Sequence, residues 1–279
     1  MTADPEQSDA GVFADIDALP QPMFEVLLGV LRAMAAHPEI ERVRRTAWEA
    51  LAPQPGQRLL DAGAGAGEVA RELAAVVGAE GEVVAMDASA RTLRAAEDLT
   101  PTHLPVRFVQ GDVTDLRFDA DTFDGVRAER VLQHLADPDR AVAELTRVTR
   151  PGGRVCLIDT DWESAAVDGV PGDLAAVMRD RLLNLSAQHH NDMGRTLRRR
   201  LVHAGLTDVT ATAVTLVFPN PTSAAVVMPF FNPEVPPEAG MVPDELRDRW
   251  FAEVAAAGER DEFLAALTIW VAAGSRPIR

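Results

Sequence analysis

The sequence of 279 residues contains no lysine and no tyrosine, and it has a single cysteine, Cys156. Without lysine the chain cannot form a Schiff base or use an amine as a catalytic base, and without tyrosine it has no phenol for acid–base chemistry. A lone cysteine excludes an internal disulfide and any metal site built from several cysteines. Proton transfer, where it is needed, therefore depends on histidine, aspartate or glutamate.

Positive charge is also scarce, since 27 arginines face 43 acidic residues and the formal net charge is −16. Such a surplus of negative charge argues against binding to nucleic acid or to an anionic membrane surface. The apolar stretches are interrupted within about ten residues, well short of the roughly 20 needed to cross a bilayer. The polar, acidic residues 1–9 are the opposite of a signal peptide. We therefore expect a soluble, cytoplasmic protein with a small-molecule partner, and we leave a homodimer open.

Short apolar runs alternate with helical patterns between residues 56 and 160. Three of these runs, Leu59-Leu60, Val83–Met86 and Arg154–Ile158, are each followed directly by an aspartate. Alternating strands and helices predict a parallel sheet covered by helices on both faces. Open sheets of this kind bind ligands at the carboxyl ends of their strands, where these polar residues gather.

Composition and periodicity divide the chain into a flexible tail (1–12), a helical cap (13–55), an α/β core (56–218 plus 263–279) and an inserted lid (219–262). The core includes two closing strands, expected at 207–218 and 263–273. The segment 219–262 is rich in proline, methionine and phenylalanine, and it is too long for a hairpin turn. We interpret it as a lid over the site where a second substrate binds.

A glycine-rich loop follows the first predicted strand and precedes a helix, with Gly63, Gly65 and Gly67 between Asp61 and Glu68. Glycines allow a sharp turn and let a ligand approach the backbone closely. A dinucleotide fingerprint would place glycine or alanine where Glu68 stands, and a carboxylate is a poor neighbour for a pyrophosphate. A phosphate-binding P-loop is excluded because no lysine follows. The loop alone is also compatible with a purely structural turn.

Two further acids refine the ligand. Asp87 ends the next strand, 22 residues after Gly65, where a carboxylate can accept hydrogen bonds from both ribose hydroxyls. Asp112 follows the third strand, where it can accept from the amine of an adenine. Asp61 adds negative charge that suits an ammonium group. The pattern predicts a site for an adenosine with a cationic or zwitterionic group and no phosphate, although Asp87 could also cap a helix and Asp112 a turn.

These motifs resemble those of the class I S-adenosylmethionine-dependent methyltransferases, in the order and spacing of the ubiquinone/menaquinone-methyltransferase-like small-molecule branch. The matching segments are Leu59–Val69, Val84–Ser89, Gly111–Val113, Phe123–Leu135 and Pro151–Ile158. The resemblance implies a Rossmann-like fold with a seven-stranded, mostly parallel sheet whose last strand is antiparallel, and it implies S-adenosylmethionine as the cofactor.

The resemblance also implies roles for individual residues. The three loop glycines would shape the methionine end of the site, and Asp87 would hold the ribose. The adenine would lie against Ala88, Asp112 and Val113. The backbone of Glu129 and Arg130 would contact the methionine part.

Histidine is the first candidate for a catalytic base. His134 lies just past the fourth strand, close to the expected ligand edge, although it could equally pack a helix. His189 and His190 follow a predicted helix, and we favour a solvated surface turn for both. Asp159 and Asp161 alternate at a strand end, but the further ligands of a metal site are missing, so no metal is expected.

Three aromatic residues, Trp162, Phe230 and Phe231, are candidates for the wall of a pocket for a planar acceptor, with core packing as the alternative. The resulting hypothesis is methyl transfer from S-adenosylmethionine to a small, largely apolar molecule such as a specialised metabolite, with O-, N- and C-methylation all open. Two alternatives are a non-methylating cyclisation or elimination with the same cofactor, and a non-catalytic adenosine-binding module.

Overall fold

A seven-stranded sheet organises the chain, for which a computed structural model describes residues 16–184, 190–235 and 242–278. The strand order is β3-β2-β1-β4-β5-β7-β6. The strands are β1 Arg58–Ala62, β2 Glu82–Asp87, β3 Val106–Gln110, β4 Phe123–Glu129, β5 Thr149–Asp168, β6 Thr207–Phe218 and β7 Leu264–Ser275. β7 pairs antiparallel with β5 and with β6, whereas β1 to β5 pair in parallel. The expected fold class is confirmed.

Helices cover both faces of the sheet. They are α1 Gln21–Ala35, α2 Pro38–Leu51, α3 Glu68–Val77, α4 Ala90–Asp98, α5 Pro138–Val148, α6 Gly172–Asn184, α7 Met193–His203, α8 Pro221–Val227 and α9 Asp244–Glu259. The two faces are visible within β1, because Leu59 packs in one hydrophobic cluster and Leu60 in the other. Both leucines are buried, as expected for a strand inside a doubly covered sheet.

The N-terminal cap consists of α1 and α2, and its second helix shows why the local sequence folds as it does. Pro38 occupies the first turn, where its missing N–H costs nothing, and His37 Nδ1 accepts the Glu39 N–H at 3.2 Å. The buried residues Ile40, Val43 and Ala47 lie on one face at helical spacing. No helix in the described parts of the chain is long and apolar enough to span a membrane.

β5 is much longer than its apolar run at 154–158 predicts. Its parallel partner β4 ends at Glu129, which pairs with Ile158. β5 nevertheless continues to Asp168, because β7 remains paired with it as far as Leu264 after a register shift beyond Asp161. The two strands therefore form a ribbon that extends past the ligand edge of the sheet.

The segment between β6 and β7 contains α8, a short 3-10 helix at Pro229–Phe231 and α9. Phe231 stacks on Trp250 with ring centroids 5.6 Å apart and meets Phe263 edge-on at 5.2 Å. The Trp250 indole N–H donates to the Phe230 carbonyl at 2.7 Å. These contacts hold the segment against the start of β7; its role as a lid stays a prediction.

Candidate active site

The glycine loop connects β1 to α3 with all three glycines in the left-handed region, at φ of 76°, 54° and 77° for Gly63, Gly65 and Gly67. The amides of Gly63 and Ala64 both donate to the Met86 carbonyl, at 2.7 and 2.9 Å. These bonds fasten the start of the loop to the end of β2.

The first two glycines serve different purposes. A Cβ on Gly63 would lie 2.2 Å from Val131 Cγ2, so this glycine is required for packing against the chain that leaves β4. A Cβ on Gly65 would meet no atom of the described residues within 4 Å. Gly65 therefore faces open space above the sheet edge, as expected for backbone that a ligand approaches closely.

Asp87 ends β2 and lies between the glycine loop and the start of α4. Its carboxylate accepts the Gly65 N–H at 2.9 Å and the Ser89 N–H at 3.0 Å. Burial raises the pKa of Asp87, and the two N–H donors offset part of that rise. The cap of α4 is Ser89, whose hydroxyl accepts the Thr92 N–H, so Asp87 is not the helix cap.

Asp112 lies at the same edge, because β2 and β3 pair Asp87 with Gln110. The Asp112 side chain is exposed, and Oδ1 accepts from the Thr114 N–H and hydroxyl at 2.7 and 2.8 Å, as a turn-forming aspartate does. Nearby, Ala88 is exposed and Val113 is buried. The two acids predicted to bind one nucleoside thus lie at the same edge, Asp87 at the end of β2 and Asp112 two residues past the end of β3.

An N-terminal residue that the sequence analysis missed completes this part of the site. Asp17 accepts from the Ser89 hydroxyl at 2.5 Å and from the Ala90 and Arg91 amides at 3.1 Å each. The Arg91 guanidinium also lies 4.1 Å from the centre of the Phe24 ring. The start of the cap is therefore fastened to the helix that follows Asp87; no pattern along the chain indicates this contact.

A buried ionic cluster links β1 to β4. Asp61 Oδ1 accepts from Arg127 at 2.8 Å, Arg127 donates to Glu129 at 2.5 Å, and Arg44 approaches Glu129 at 3.4 Å. Burial alone would raise the pKa of Glu129, but the surrounding guanidinium groups of Arg44, Arg127 and Arg130 outweigh it and lower that pKa to about 2. The sequence analysis missed Arg44 and Arg127, although a charge alternating with Glu129 on an apolar strand is a usable sign.

Asp61 is only half satisfied by this cluster. Its Oδ2 is buried and has no hydrogen-bond partner among the residues that the structure describes. Burial raises the pKa of Asp61, and Arg127 offsets part of the rise. An unpartnered carboxylate oxygen beside the glycine loop is a fitting acceptor for an ammonium group.

The Arg130 amide donates to the Ile158 carbonyl at 2.7 Å, so a backbone contact from Arg130 to a ligand would use its carbonyl. The predicted contact of the Glu129 and Arg130 backbone with the methionine part stays a prediction. Arg130 adopts φ of +56°, unusual for a side chain of this size. Glu129, the last residue of β4, contributes its side chain to the ionic cluster.

His134 ends a short 3-10 helix at Leu132–His134 and is half-buried. Gln133 beside it accepts from the Trp162 indole N–H at 2.9 Å through Oε1, and its Nε2 lies 3.2 Å from His134 Nε2. The backbone N–H of Gln133 donates to Asp159 Oδ2 at 3.2 Å. Burial raises the pKa of Asp159 to about 7, with partial compensation from the backbone N–H donors.

The remaining candidates divide into three outcomes. His190 is half-buried and donates to the Leu135 carbonyl at 3.0 Å, so the surface position expected for it is wrong; this bond ties it to the His134 turn. His189 lies outside the described residues.

Asp161 forms a two-bond ion pair with Arg195, at 2.8 and 2.5 Å, and does not share a site with Asp159. Within the described ranges, no group of three potential ligands is arranged to hold a metal ion.

An apolar recess of about 370 Å³ lies beside the β5 extension. Its lining residues come from β5, α6, the 3-10 helix and α9, and they are Ala165, Ala166, Val167, Gly172, Ala175, Ala176, Met178, Arg179, Leu182, Phe230 and Trp250. Of the three predicted wall residues, Phe230 lines this recess. Trp162 is buried against Gln133, and Phe231 belongs to the aromatic cluster, because their rings face neighbouring elements.

Comparison with known proteins identifies the domain. Residues 60–157 match the family model of a methyltransferase domain. The chain is 33% identical over 224 residues to an uncharacterized 37.1 kDa protein in transposon TN4556 of Streptomyces fradiae, covering 80% of this chain and 64% of that protein. It is 37% identical over 120 residues to 2-phytyl-1,4-naphtoquinone methyltransferase of a Synechocystis species, covering 40% of this chain and 50% of that protein. The chain thus spans half to two thirds of these relatives.

A solved structure supports the fold. Phosphoethanolamine N-methyltransferase 2 of Haemonchus contortus, in complex with phosphomonomethylethanolamine and S-adenosylhomocysteine, superposes with a TM-score of 0.61 at 16% identity, covering 96% of this chain and 61% of that chain. The seven-stranded fold is shared with this methyltransferase structure. Residues 60–157 form an S-adenosylmethionine-dependent methyltransferase domain.

S-adenosylmethionine is the cofactor of this domain, and the geometry fits it. Gly65 leaves room for close approach to the backbone, and Asp87 and Asp112 lie at the same edge of the sheet. Asp61 holds an unpartnered oxygen for an ammonium group.

Proposed function

We propose that the chain transfers a methyl group from S-adenosylmethionine to a small, largely apolar molecule, such as a planar specialised metabolite. The observation that carries this proposal is the apolar recess on the β5 extension, which continues from the strand end beside the ligand edge. The name of the Synechocystis relative, which acts on a naphthoquinone, supports an acceptor of this kind.

S-adenosylmethionine supplies an activated methyl group on a positively charged sulfur when it is bound. The chain therefore needs to position the acceptor in line with that methyl and to exclude water. In this proposal Asp87 holds the ribose hydroxyls, Asp112 and Val113 hold the adenine, and the backbone at Gly65 lies beneath the amino-acid part.

His134 is the proposed base for an acceptor that must lose a proton. The Trp162 indole N–H can only donate, so the side-chain oxygen of Gln133 must face it. The side-chain NH₂ group of Gln133 then faces His134. His134 Nε2 must then accept, which requires the neutral imidazole with its proton on Nδ1. The basic lone pair of that neutral imidazole lies on Nε2, so His134 takes a proton when the acceptor displaces the Gln133 N–H from Nε2.

The proposed acceptor site uses the recess between β5, α6 and α9. Its lining is dominated by alanine, methionine and aromatic side chains, and Arg179 is its charged member. A recess of about 370 Å³ matches the cavities of roughly 300–1,000 Å³ that hold small ligands. Phe230, supplied by the segment between β6 and β7, would pack against a planar ring, and Trp250, fully buried and stacked on Phe231, would support that wall.

The decisive experiment incubates the protein with methyl-labelled S-adenosylmethionine and a panel of naphthoquinols, phenols and aromatic amines. Expected results are label in an extracted product, one equivalent of S-adenosylhomocysteine and a mass gain of one methylene unit. As a matched pair, Ala175→Trp should reduce turnover by filling the recess, whereas Ala255→Trp, at an exposed position of α9 outside its lining, should not. A product of unchanged mass, formed without S-adenosylhomocysteine, would contradict methyl transfer.

A further inference from the structure

The apolar recess beside the β5 extension carries a single charged side chain among its described lining residues, that of Arg179 on α6. The rest of that lining consists of alanine, glycine, valine, leucine, methionine, phenylalanine and tryptophan. The indole N–H of this tryptophan, Trp250, already donates to the Phe230 carbonyl at 2.7 Å. The guanidinium is therefore the lining group that can offer a ligand hydrogen bonds.

Arg179 has only one weak contact within the described parts of the protein. Its side chain is exposed, and Nη2 donates to the Glu163 carbonyl at 3.5 Å, longer than a usual hydrogen bond. Asp180 follows it directly, but successive residues of a helix do not face each other. The positions one turn before and after Arg179 hold only alanine and leucine, so α6 supplies no acid at the spacing that forms ion pairs.

The recess itself holds no acid among its described lining residues. Glu163, whose carbonyl Arg179 contacts, pairs its carboxylate with Arg195 at 2.8 Å. Asp173, in the first turn of α6, pairs with Arg249 at 3.2 Å. An anion bound in the recess would thus meet one cation and no lining carboxylate.

The contact with Glu163 places the guanidinium at one end of the recess. Along β5, Trp162 reaches the His134 turn through its hydrogen bond to Gln133, and residues 165–167 line the recess. Glu163 lies between these two stretches. An acceptor in the recess would therefore have the guanidinium at the end that leads to His134, the proposed base.

We propose that Arg179 makes the acceptor site selective for a planar apolar molecule with an anionic oxygen, either a carboxylate or a hydroxyl acidic enough to be ionised at neutral pH. This inference rests on the proposed function and specifies its substrate class. The apolar lining would bury the ring, and the guanidinium would form a charge-assisted pair with the oxygen, which its planar fork of donors suits. Arg179 is a specificity-determining residue in this account and takes no part in the transfer of the methyl group.

The test measures binding by isothermal titration calorimetry in the presence of saturating S-adenosylhomocysteine. Two pairs of probes differ in charge but little in shape. They are 2-naphthoate with 2-naphthamide, and 2-hydroxy-1,4-naphthoquinone, an anion at neutral pH, with its neutral methyl ether. On the wild-type protein the anion of at least one pair should bind about 5- to 20-fold more tightly, the modest preference expected at an exposed guanidinium. A preference in the first pair alone indicates a carboxylate, and in the second alone an acidic hydroxyl.

Three variants locate the preference. Arg179→Gln should reduce it to within about threefold and leave the affinity for the neutral probes unchanged, which also shows that the recess is folded. Arg179→Lys keeps the charge without the planar fork, so it should retain part of the preference. Arg181→Gln is the matched control, because it removes the same charge from the same helix at a position outside the recess lining. It should retain the full preference.

Several results would overturn the role of Arg179. They are a wild-type preference below about threefold in both pairs, an unchanged preference in Arg179→Gln, and an equal loss of preference in Arg179→Gln and Arg181→Gln, which would assign the effect to the general potential. Absence of binding by all four probes would overturn it together with the use of the recess as the acceptor site.

The labelled methyl-transfer assay separates this failure from failure of the proposed function. Labelled products from neutral acceptors, formed as readily as from anionic ones, would contradict the role of Arg179 and keep methyl transfer. Absence of S-adenosylhomocysteine with every acceptor would contradict methyl transfer itself.

Discussion

The contrast between Gly63 and Gly65 gives a sharp prediction, because both glycines have positive φ but only one contacts protein atoms where a Cβ would stand. Alanine in the left-handed region costs about 1–2 kcal/mol at either position. At Gly63 the new methyl would also overlap Val131 Cγ2, 2.2 Å away, and overpacking of this kind costs about 1–3 kcal/mol more. We expect Gly63→Ala to lose about 2–5 kcal/mol of unfolding free energy and Gly65→Ala about 1–2 kcal/mol.

The affinity for S-adenosylhomocysteine should instead be more sensitive to Gly65→Ala than to Gly63→Ala. The methyl of Gly65→Ala would project into the open space beside Asp87, where we place the amino-acid part of the cofactor. A steric cost of about 1–3 kcal/mol corresponds to a loss of about 5- to 150-fold in affinity for S-adenosylhomocysteine. Urea unfolding measures the first effect, and calorimetric titration of the folded variant measures the second.

Gly205 provides the control. It lies just past α7 with φ of +83° and has no described atom within 4 Å of an added Cβ, so alanine there meets a positive φ without a new overlap. Gly205→Ala should lose similar stability and retain full affinity for S-adenosylhomocysteine. Wild-type affinity in Gly65→Ala would refute the placement of the ligand over the glycine loop.

Three further predictions follow from the polar and aromatic contacts. Asp87→Ala should weaken S-adenosylhomocysteine binding by about 1–3 kcal/mol, because it leaves ribose hydroxyls unpartnered in a partly buried site; unchanged calorimetric affinity would remove Asp87 from that role. Burial gives the Asp159 carboxyl a pKa of about 7 in the folded protein, against 3.8 for an unperturbed aspartate. Its contribution to the unfolding free energy is therefore full below about pH 4 and is lost as the pH rises to about 7, on the order of 4 kcal/mol in all. The unfolding free energy of Asp159→Asn, measured in urea, should therefore rise relative to that of the wild type across this pH interval. A difference that does not change with pH would contradict the prediction. Phe231→Ala should cost about 3–5 kcal/mol of stability by thermal or urea unfolding, whereas Phe230→Leu should mainly raise the KM for the acceptor; equal effects on stability would argue against separate roles.

The sequence predicted the ends of the parallel strands well because the patterns that mark them are local. An acid directly after a short apolar run, such as Asp61 or Asp87, marks the end of a strand within a few residues. Parallel pairing then brings these ends together without further information. The glycine loop is equally local, since its positive φ values depend on three positions in five residues.

What the sequence could not predict depends on partners that are distant along the chain. The length of β5 is set by its pairing with β7, roughly a hundred residues later, and not by its own apolar run. Whether Trp162 faces a pocket or a neighbouring amide depends on Gln133, on another strand end. The partial burial of His190 likewise depends on its contact with Leu135, and a run of four polar residues gave no indication of it.

The two ends of the segment between β6 and β7 have a consequence for how this protein can change. Phe218 pairs with Ala265 across the antiparallel strands, so the chain leaves the sheet and returns to it at almost the same place. A longer or shorter segment could be exchanged there without altering the register of either strand or the glycine loop on the far side of the sheet. Grafting residues 219–263 from a homologue should therefore transfer acceptor preference while the nucleoside end keeps its geometry.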